Sequence, residues 1–412
     1  MNYEEVIAYL KERDLTMTRY EREDWDKFAK TIGLKLQVPF IHLTGSNGKG
    51  STANYLYKIY LEAGYKVALF AKPYMYKPNE LVEIDGERIS DADFARIFTL
   101  REKEIKNANL SAFEIETYIA FAYINEQKPD LAIIECGMGG ATDSTNLEGQ
   151  TPELAIITTV SLEHTAFLGR TVSEIAFNKG GIVKDKAPLL IGKLAEAAEL
   201  TLRDIAKKHD SPLHIVDDYH ADHYVSPYFH FDYRPFYDLE ILTAASYQLY
   251  NASLAVEATK ILASRFPVKE EALRHGLMTP PLPCRLERHH NIILDGAHNP
   301  EAVAALMKCL ESVAFGKPIH VLFASYKDKN IAVELPLLAK DAADITLTTF
   351  PGERSRNEDD YFLYMGDYAY NGDYKAALSD LITKYPDDII VVTGSLAFAS
   401  LVRQYVVEDL KL

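Results

Sequence analysis

The chain alternates short, almost wholly apolar runs with longer segments whose apolar residues recur at helical spacing. "PFIHLTG" (39–45), "KVALF" (66–70), "DLAIIEC" (130–136), "LAIITTV" (154–160) and "APLLIG" (187–192) read as strands buried on both faces. Between them the pattern predicts helices over 51–63, 91–107, 112–126 and 172–178. The opening "MNYEEVIAYLKERD" is acidic and helical in pattern. Strands alternating with helices predict an α/β fold around a doubly wound, mostly parallel sheet, with ligands at the carboxyl ends of its strands. From 213 to 241 the pattern changes to aromatic residues in rough alternation with Asp and Pro turn signals, which predicts antiparallel hairpins. A helix is expected over 244–264.

"TPPLPCRLE" (279–287) then breaks all periodicity and marks a linker. After it the alternation restarts: "NIILDGAHN", a helix over 300–313, "IHVLFAS", a helix over 331–340, "DITLTTF", a helix over 374–385, "DIIVVTG" and a helix over 396–408. Two domains are therefore expected, a P-loop-type domain over 1–282 and a smaller Rossmann-like α/β domain over 283–412. A chain of 412 residues is also too long for one compact core.

Composition narrows the function classes. The net charge of −16 gives no electrostatic support to a nucleic-acid role. The N-terminus does not read as a signal peptide, and no apolar run approaches a membrane span. Cys136, Cys284 and Cys309 have neither metal-ligand spacing nor an even count, which points to a reducing, cytoplasmic setting.

Candidate chemistry sits at the strand ends. "TGSNGKGST" places Gly45, Asn47, Gly48, Lys49, Gly50 and Ser51 between a strand and a helix, where backbone N–H groups converge on an anion. The loop departs from G-x-x-x-x-G-K-[ST], because Leu43 and Gly50 stand where a glycine and a hydroxyl belong. Lys49 is the candidate for the outer phosphates, and Ser51 for phosphate or metal. In "IIECGMGGATDSTN" Glu135 ends a buried strand, the expected place for a Mg²⁺ ligand. His164 and Lys179 follow in "SLEHTAFLGRTVSEIAFNKGGIVK"; taken singly, such residues are more often structural or solvated. Asp295, His298 and Asn299 in "LDGAHNP", and Ser395 in "VTGSLAF", occupy strand-to-helix switches; a plain helix cap is the bland alternative for Ser395. His220, His223 and His230 alternate as on a hairpin without a fourth ligand nearby, so zinc is not expected there.

Together these segments resemble the folylpolyglutamate synthase / dihydrofolate synthase family of the Mur ligase superfamily. "TGSNGKGST" is similar to its GTNGKGS loop, and "ECGMGGATDSTN" to its E-V-G-x-G-G-x-x-D-[AS]-T-N. "EHTAFLGRTVSEIAFNKGGI", "YQLYNASLA", "PCRLE", "LDGAHNP" and "VTGSL" resemble further family segments in the same order. The resemblance implies a cytoplasmic, mostly monomeric enzyme using ATP, a reduced folate and L-glutamate. ATP would phosphorylate the carboxylate of a reduced folate, usually the γ-carboxyl of its last glutamate, or of dihydropteroate, and the glutamate amine would displace phosphate to form an amide. It implies two Mg²⁺ ions, with Glu135 touching both, His164 on the second, and a carbamylated Lys179 as an oxygen ligand. It assigns Arg285 to the γ-phosphate, Asn251 to the adenine, and Asp295, His298 and Ser395 to the nucleotide and glutamate side.

The sequence also departs from that pattern. The family's T-S-P-H-L is "AKPYM" here, so Lys72 replaces the serine that ligates the first Mg²⁺ and Tyr74 replaces the histidine. An ammonium about 4 Å from a divalent cation is repelled by several kcal/mol even at an effective dielectric of 20, so three readings of Lys72 stay open: it points away and water completes the first Mg²⁺ shell, it contacts phosphate directly and the metal count drops, or activity is lost. Glu163 stands for Asp, Tyr247 for His, Cys284 for Gly and Asn330 for Asp. Two other readings stay open: a Mur-type ligase acting on another acid, and a catalytically silent nucleotide- or folate-binding paralog.

Overall fold

A computed structural model describes residues 1–16 and 22–412. The chain divides into two compact units. One comprises Met1–His220, Phe231–Glu240 and Tyr250–Thr279; the other comprises Ala221–His230, Ile241–Leu249 and Pro280–Leu412.

The first unit is built on an eight-stranded sheet. Its strands are β1 (Phe40–Thr44), β2 (Val67–Phe70), β3 (Val82–Ile84), β4 (Glu87–Arg88), β5 (Leu131–Glu135), β6 (Leu154–Ile157), β7 (Leu189–Ile191) and β8 (Leu213–Ile215), in the order β4-β3-β2-β5-β1-β6-β7-β8. From β2 to β8 the pairing is parallel, while β3 and β4 extend the β2 edge antiparallel. β1, β2, β5 and β6 are buried at every residue, as expected of strands covered on both faces. Ala132 and Ile134 pack with Phe70, Phe94 and Phe121 in one core cluster, while Ile157, Ile175 and Leu202 belong to another.

Local differences from the expected elements have physical causes. The segment 91–107 forms two helices, Asp91–Leu100 and Glu102–Asn107, broken at Arg101, whose backbone leaves the helical region. Leu213–Ile215, expected in a hairpin, pairs parallel with β7 instead. Only the following strands, β9 (His220–Val225), β10 (Tyr228–Tyr233) and β11 (Phe236–Leu242), form the separate three-stranded sheet. Their two-residue connections permit only antiparallel neighbours.

The second unit carries a six-stranded sheet of β12 (Glu287–His289), β13 (Ile292–Leu294), β14 (Ile319–Phe323), β15 (Asp344–Leu347), β16 (Ala369–Tyr370) and β17 (Ile389–Thr393). Its order is β12-β13-β17-β14-β15-β16, parallel except for β12. The helix Leu396–Gln404 ends four residues before its expected limit, in a π turn over Tyr405–Asp409. Among the described residues no helix is long and apolar enough to cross a membrane.

Candidate functional site

In the first unit, four strand ends converge. β1 delivers the loop Gly45–Gly48, and the helix Lys49–Glu62 begins directly after it. Gly48 caps this helix at φ 84°, a left-handed conformation that favours glycine. A Cβ at Gly48 would also collide with Asn251 Oδ1, so Asn251 lies against the loop. Thr159 ties the loop down: its carbonyl accepts from Ser46 N at 2.9 Å and its hydroxyl from Asn47 N at 2.8 Å. Lys49 Nζ donates to Gly45 O at 2.7 Å, and Ser51 is buried in the first helical turn.

β5 lies beside β1 in parallel register, pairing Glu135 with Leu43. Glu135 is therefore buried level with the start of the loop. The glycine run after it packs on the helix Val172–Lys179: Ala141 N bonds Asn178 O at 2.8 Å, and a Cβ on Gly140 would stand 2.7 Å from Lys179 O. The Thr44 hydroxyl donates to Gly139 O, closing the ring of segments. Asp143 fixes the turn by accepting from Met138 N at 2.9 Å and from Thr145 N at 3.0 Å, while Arg22 binds the Asp143 and Asn146 carbonyls.

Lys179 is 1% exposed and its ammonium lies 2.7 Å from Glu163 Oε1. Burial works to raise the Glu163 carboxyl, but the charges of Lys179 and Lys49 outweigh it and hold the group at about 2. Burial pushes the Lys179 amine below its usual range, with Lys49 adding and Glu163 opposing. The pair thus links Lys179 electrostatically to the phosphate-type loop. His164, half-buried at φ 44°, immediately follows Glu163. Gly45, Asn47, Gly48, Lys49, Gly50, Ser51, Glu135, His164, Lys179 and Asn251 all belong to this unit.

Lys72 follows β2, whose Phe70 pairs with Ile134, so the chain just past β2 runs beside Glu135. Its ammonium lies 3.5 Å from Glu116 Oε2 and 4.2 Å from the centre of the Phe113 ring. Burial pushes the Glu116 carboxyl up to about 7, with Lys72 pulling against it.

The second unit holds another cluster. Arg285 sits between Cys284 and Leu286, both left-handed at φ 55° and 53°. Asp295, buried at the end of β13, accepts hydrogen bonds from Tyr247 Oη at 2.8 Å, Leu286 N at 2.8 Å and Ala297 N at 2.9 Å. Burial raises its carboxyl, while the Arg285 charge and these donors oppose the rise. A Cβ on Gly296 would stand 2.7 Å from Arg285 Nη1, so the guanidinium packs on that turn. His298 Nδ1 lies 2.8 Å from Gly296 O, and Asn299 caps the helix Pro300–Val313 through Ala302 N at 2.9 Å. Gly394 N bonds Ala297 O at 3.0 Å, which brings the buried Ser395 next to this turn. The structure thus gathers Arg285, Asp295, His298 and Ser395, and adds Tyr247.

Sequence reasoning passed over Asp143, Asn178, Thr159 and Glu116. The polar run 142–146 in a buried turn is the available signal for Asp143. Nothing local marked Glu116.

Residues 43–259 match the Mur ligase middle domain, and residues 284–396 match the Mur ligase glutamate ligase domain. The folylpolyglutamate synthase of Lacticaseibacillus casei is 31% identical over 424 residues, covering 98% of each chain. The dihydrofolate synthase/folylpolyglutamate synthase of Bacillus subtilis strain 168 is 31% identical over 394 residues, covering 89% of this chain and 90% of the relative. A solved complex of a folylpolyglutamate synthase with AMPPCP and folate superimposes with a TM-score of 0.85 at 29% identity, covering 98% of this chain and 100% of that one.

Proposed function

The chain belongs to the folylpolyglutamate synthase / dihydrofolate synthase family of Mur ligases, and we propose that it is an ATP-dependent ligase adding L-glutamate to a reduced folate. ATP phosphorylates a folate carboxylate, giving an acyl phosphate and ADP. The α-amino group of L-glutamate then attacks the acyl carbon, and phosphate leaves as the amide forms. The observation that carries this reading is the convergence of the glycine loop, buried Glu135 and buried Lys179 within one unit.

The roles follow from chemistry. N–H groups around Gly48 and Gly50, with the Lys49 ammonium, hold the phosphates. Asn251, lying against Gly48, meets the adenine. Arg285 takes the γ-phosphate, where a guanidinium stabilises charge on the phosphoryl group in transit. Asp295, His298 and Ser395 line the nucleotide and glutamate side. On this reading residues 1–282 bind the nucleotide and 283–412 form the ligase domain, and the enzyme works as a cytoplasmic monomer.

A buried carboxylate, a helix-start hydroxyl and an imidazole at Glu135, Ser51 and His164 fit Mg²⁺. Lys179 as an ammonium does not, because it offers no lone pair. As a depressed-pKa amine it attacks CO₂, forming an N–C bond and releasing a proton, and the carbamate then supplies oxygen donors. Bound Mg²⁺ supplies neutralisation of charge on the transferring phosphoryl group.

The test is ADP release with ATP, Mg²⁺ and L-glutamate, with and without tetrahydrofolate, and mass spectrometry of the folate. ADP release dependent on both substrates, with a gain of one glutamyl residue, is expected. Nucleotide binding without folate-dependent turnover would overturn the folate assignment.

A further inference from the structure

The one donor that the family pattern supplies to a first metal ion on the β2 side of the site, a serine hydroxyl, is missing, and Lys72 stands in its place. Lys72 has three N–H donors and no lone pair, so it does not ligate a cation. The replacement is nevertheless a built feature. Glu116 is 3% exposed on its side chain, and its Oε2 accepts no hydrogen bond; its charge partner is the Lys72 ammonium at 3.5 Å. The ammonium also rests over the Phe113 ring at 4.2 Å, where cation–π attraction adds to the hold. That ring in turn abuts Gly137, two residues beyond Glu135. The segment after Lys72 is pinned as well, through Met75 N to Glu80 Oε2 at 2.8 Å and Ala71 N to Leu81 O at 3.1 Å.

From this we infer that Lys72, half-buried and tethered to the buried Glu116, is a cation standing in place of the first divalent ion, and that the nucleotide-bound protein holds one divalent cation rather than two. The inference rests on the ATP-dependent reading above. Its physical content is a mismatch of donors: a residue able only to donate N–H bonds occupies the position of a hydroxyl ligand, and a buried carboxylate holds it there. Lys72 is thereby a positioning residue that sets metal count and charge on one side of the phosphates. The single remaining cation falls to Glu135, His164 and the modified Lys179.

Counting bound metal tests this directly. Full-length protein is stripped of metal, supplied with bicarbonate and equimolar AMPPCP, and titrated with Mn²⁺, the free ion being read by electron paramagnetic resonance. Wild type is expected to bind one Mn²⁺ per chain. Lys72→Ser, which restores a hydroxyl, is expected to bind two, and Lys72→Met, which removes charge without adding a donor, to stay at one. A wild-type count of two or of none overturns the inference, and so does a count of one in Lys72→Ser. Absent folate turnover with a wild-type count of one sinks the folate reading and leaves this one standing.

Discussion

Replacing Glu163 by Gln strands the Lys179 ammonium where only 1% of its side chain meets solvent. Breaking a buried ion pair from one side costs about 3–5 kcal/mol, against at most ~1 kcal/mol for an exposed pair. The carboxylate gives a second scale. Burial works to raise it, yet Lys179 and Lys49 hold it down from 4.5 to about 2. At about 1.4 kcal/mol per pH unit, this is roughly 3 kcal/mol in favour of the ionised carboxylate. Lys179 points the other way, since burial lowers its amine despite Glu163. The carboxylate's shift is therefore an upper bound on the pair's net worth, and the stranding cost is the quantity to measure. Trp25, the single tryptophan, is buried in the same unit, so its fluorescence reports unfolding of that unit in urea. In metal-free, CO₂-free buffer near neutral pH, Glu163→Gln and Lys179→Met are each expected to lose about 3 kcal/mol. The double variant loses less than their sum, with a coupling above ~1 kcal/mol. Because the Glu163 value is depressed in the fold, its contribution is fully present above pH 4.5 and is lost as pH falls toward about 2. Wild type and Glu163→Gln therefore converge in acid. Single variants within ~0.5 kcal/mol of wild type, or strictly additive losses, refute the reasoning.

Gly48→Ala forces a left-handed alanine, costing roughly 1–2 kcal/mol, and drives its Cβ into Asn251. ATP affinity measured by calorimetry is expected to fall at least about tenfold, and unchanged affinity would refute the packing. Gly296→Ala places a Cβ 2.7 Å from Arg285 Nη1 and is expected to lower kcat by at least about tenfold through displacement of the guanidinium; unaltered steady-state kinetics would count against it. Tyr247→Phe removes one of three donors to buried Asp295 and is expected to cost about 1.5–3 kcal/mol in the second unit, read by amide hydrogen exchange of β13. Protection equal to wild type would mean that the hydroxyl contributes nothing.

What the sequence revealed depended on how far the information lay from the residue in question. The loop Gly45–Ser51 was legible because strand, glycines, lysine and helix are contiguous. Asp295 and Ser395 were legible for the same reason, each at the end of an apolar run. Leu213–Ile215 was misread because three half-buried residues carry no period of their own, and β7 decides their pairing. The broken helix over 91–107 kept its apolar spacing across Arg101, and only the backbone there shows the interruption. Buried charge was the least legible feature. Nothing near Lys72 announces Glu116, and nothing near Lys179 announces that Glu163 reaches it, because each pairing is made by the fold.

Those two lysines explain why departures from a family pattern are best weighed with their partners. Lys72 alone is a like charge beside a metal site, and by that reasoning it is damaging. With Glu116 buried 3.5 Å away it becomes half of a pair, and removing Lys72 takes away the charge that pulls the raised Glu116 carboxyl down. Glu163 alone is one methylene longer than the family's Asp, a small change. In place it holds the ammonium of the very lysine for which carbamylation is proposed. A carbamate there would face the Glu163 carboxylate as a like charge, so cation binding and carbamylation are expected to be mutually dependent in this chain. That dependence is measurable as a bicarbonate requirement for tight Mn²⁺ binding, abolished in Lys179→Met. Equal Mn²⁺ affinity with and without bicarbonate would break the link between the buried pair and the metal site.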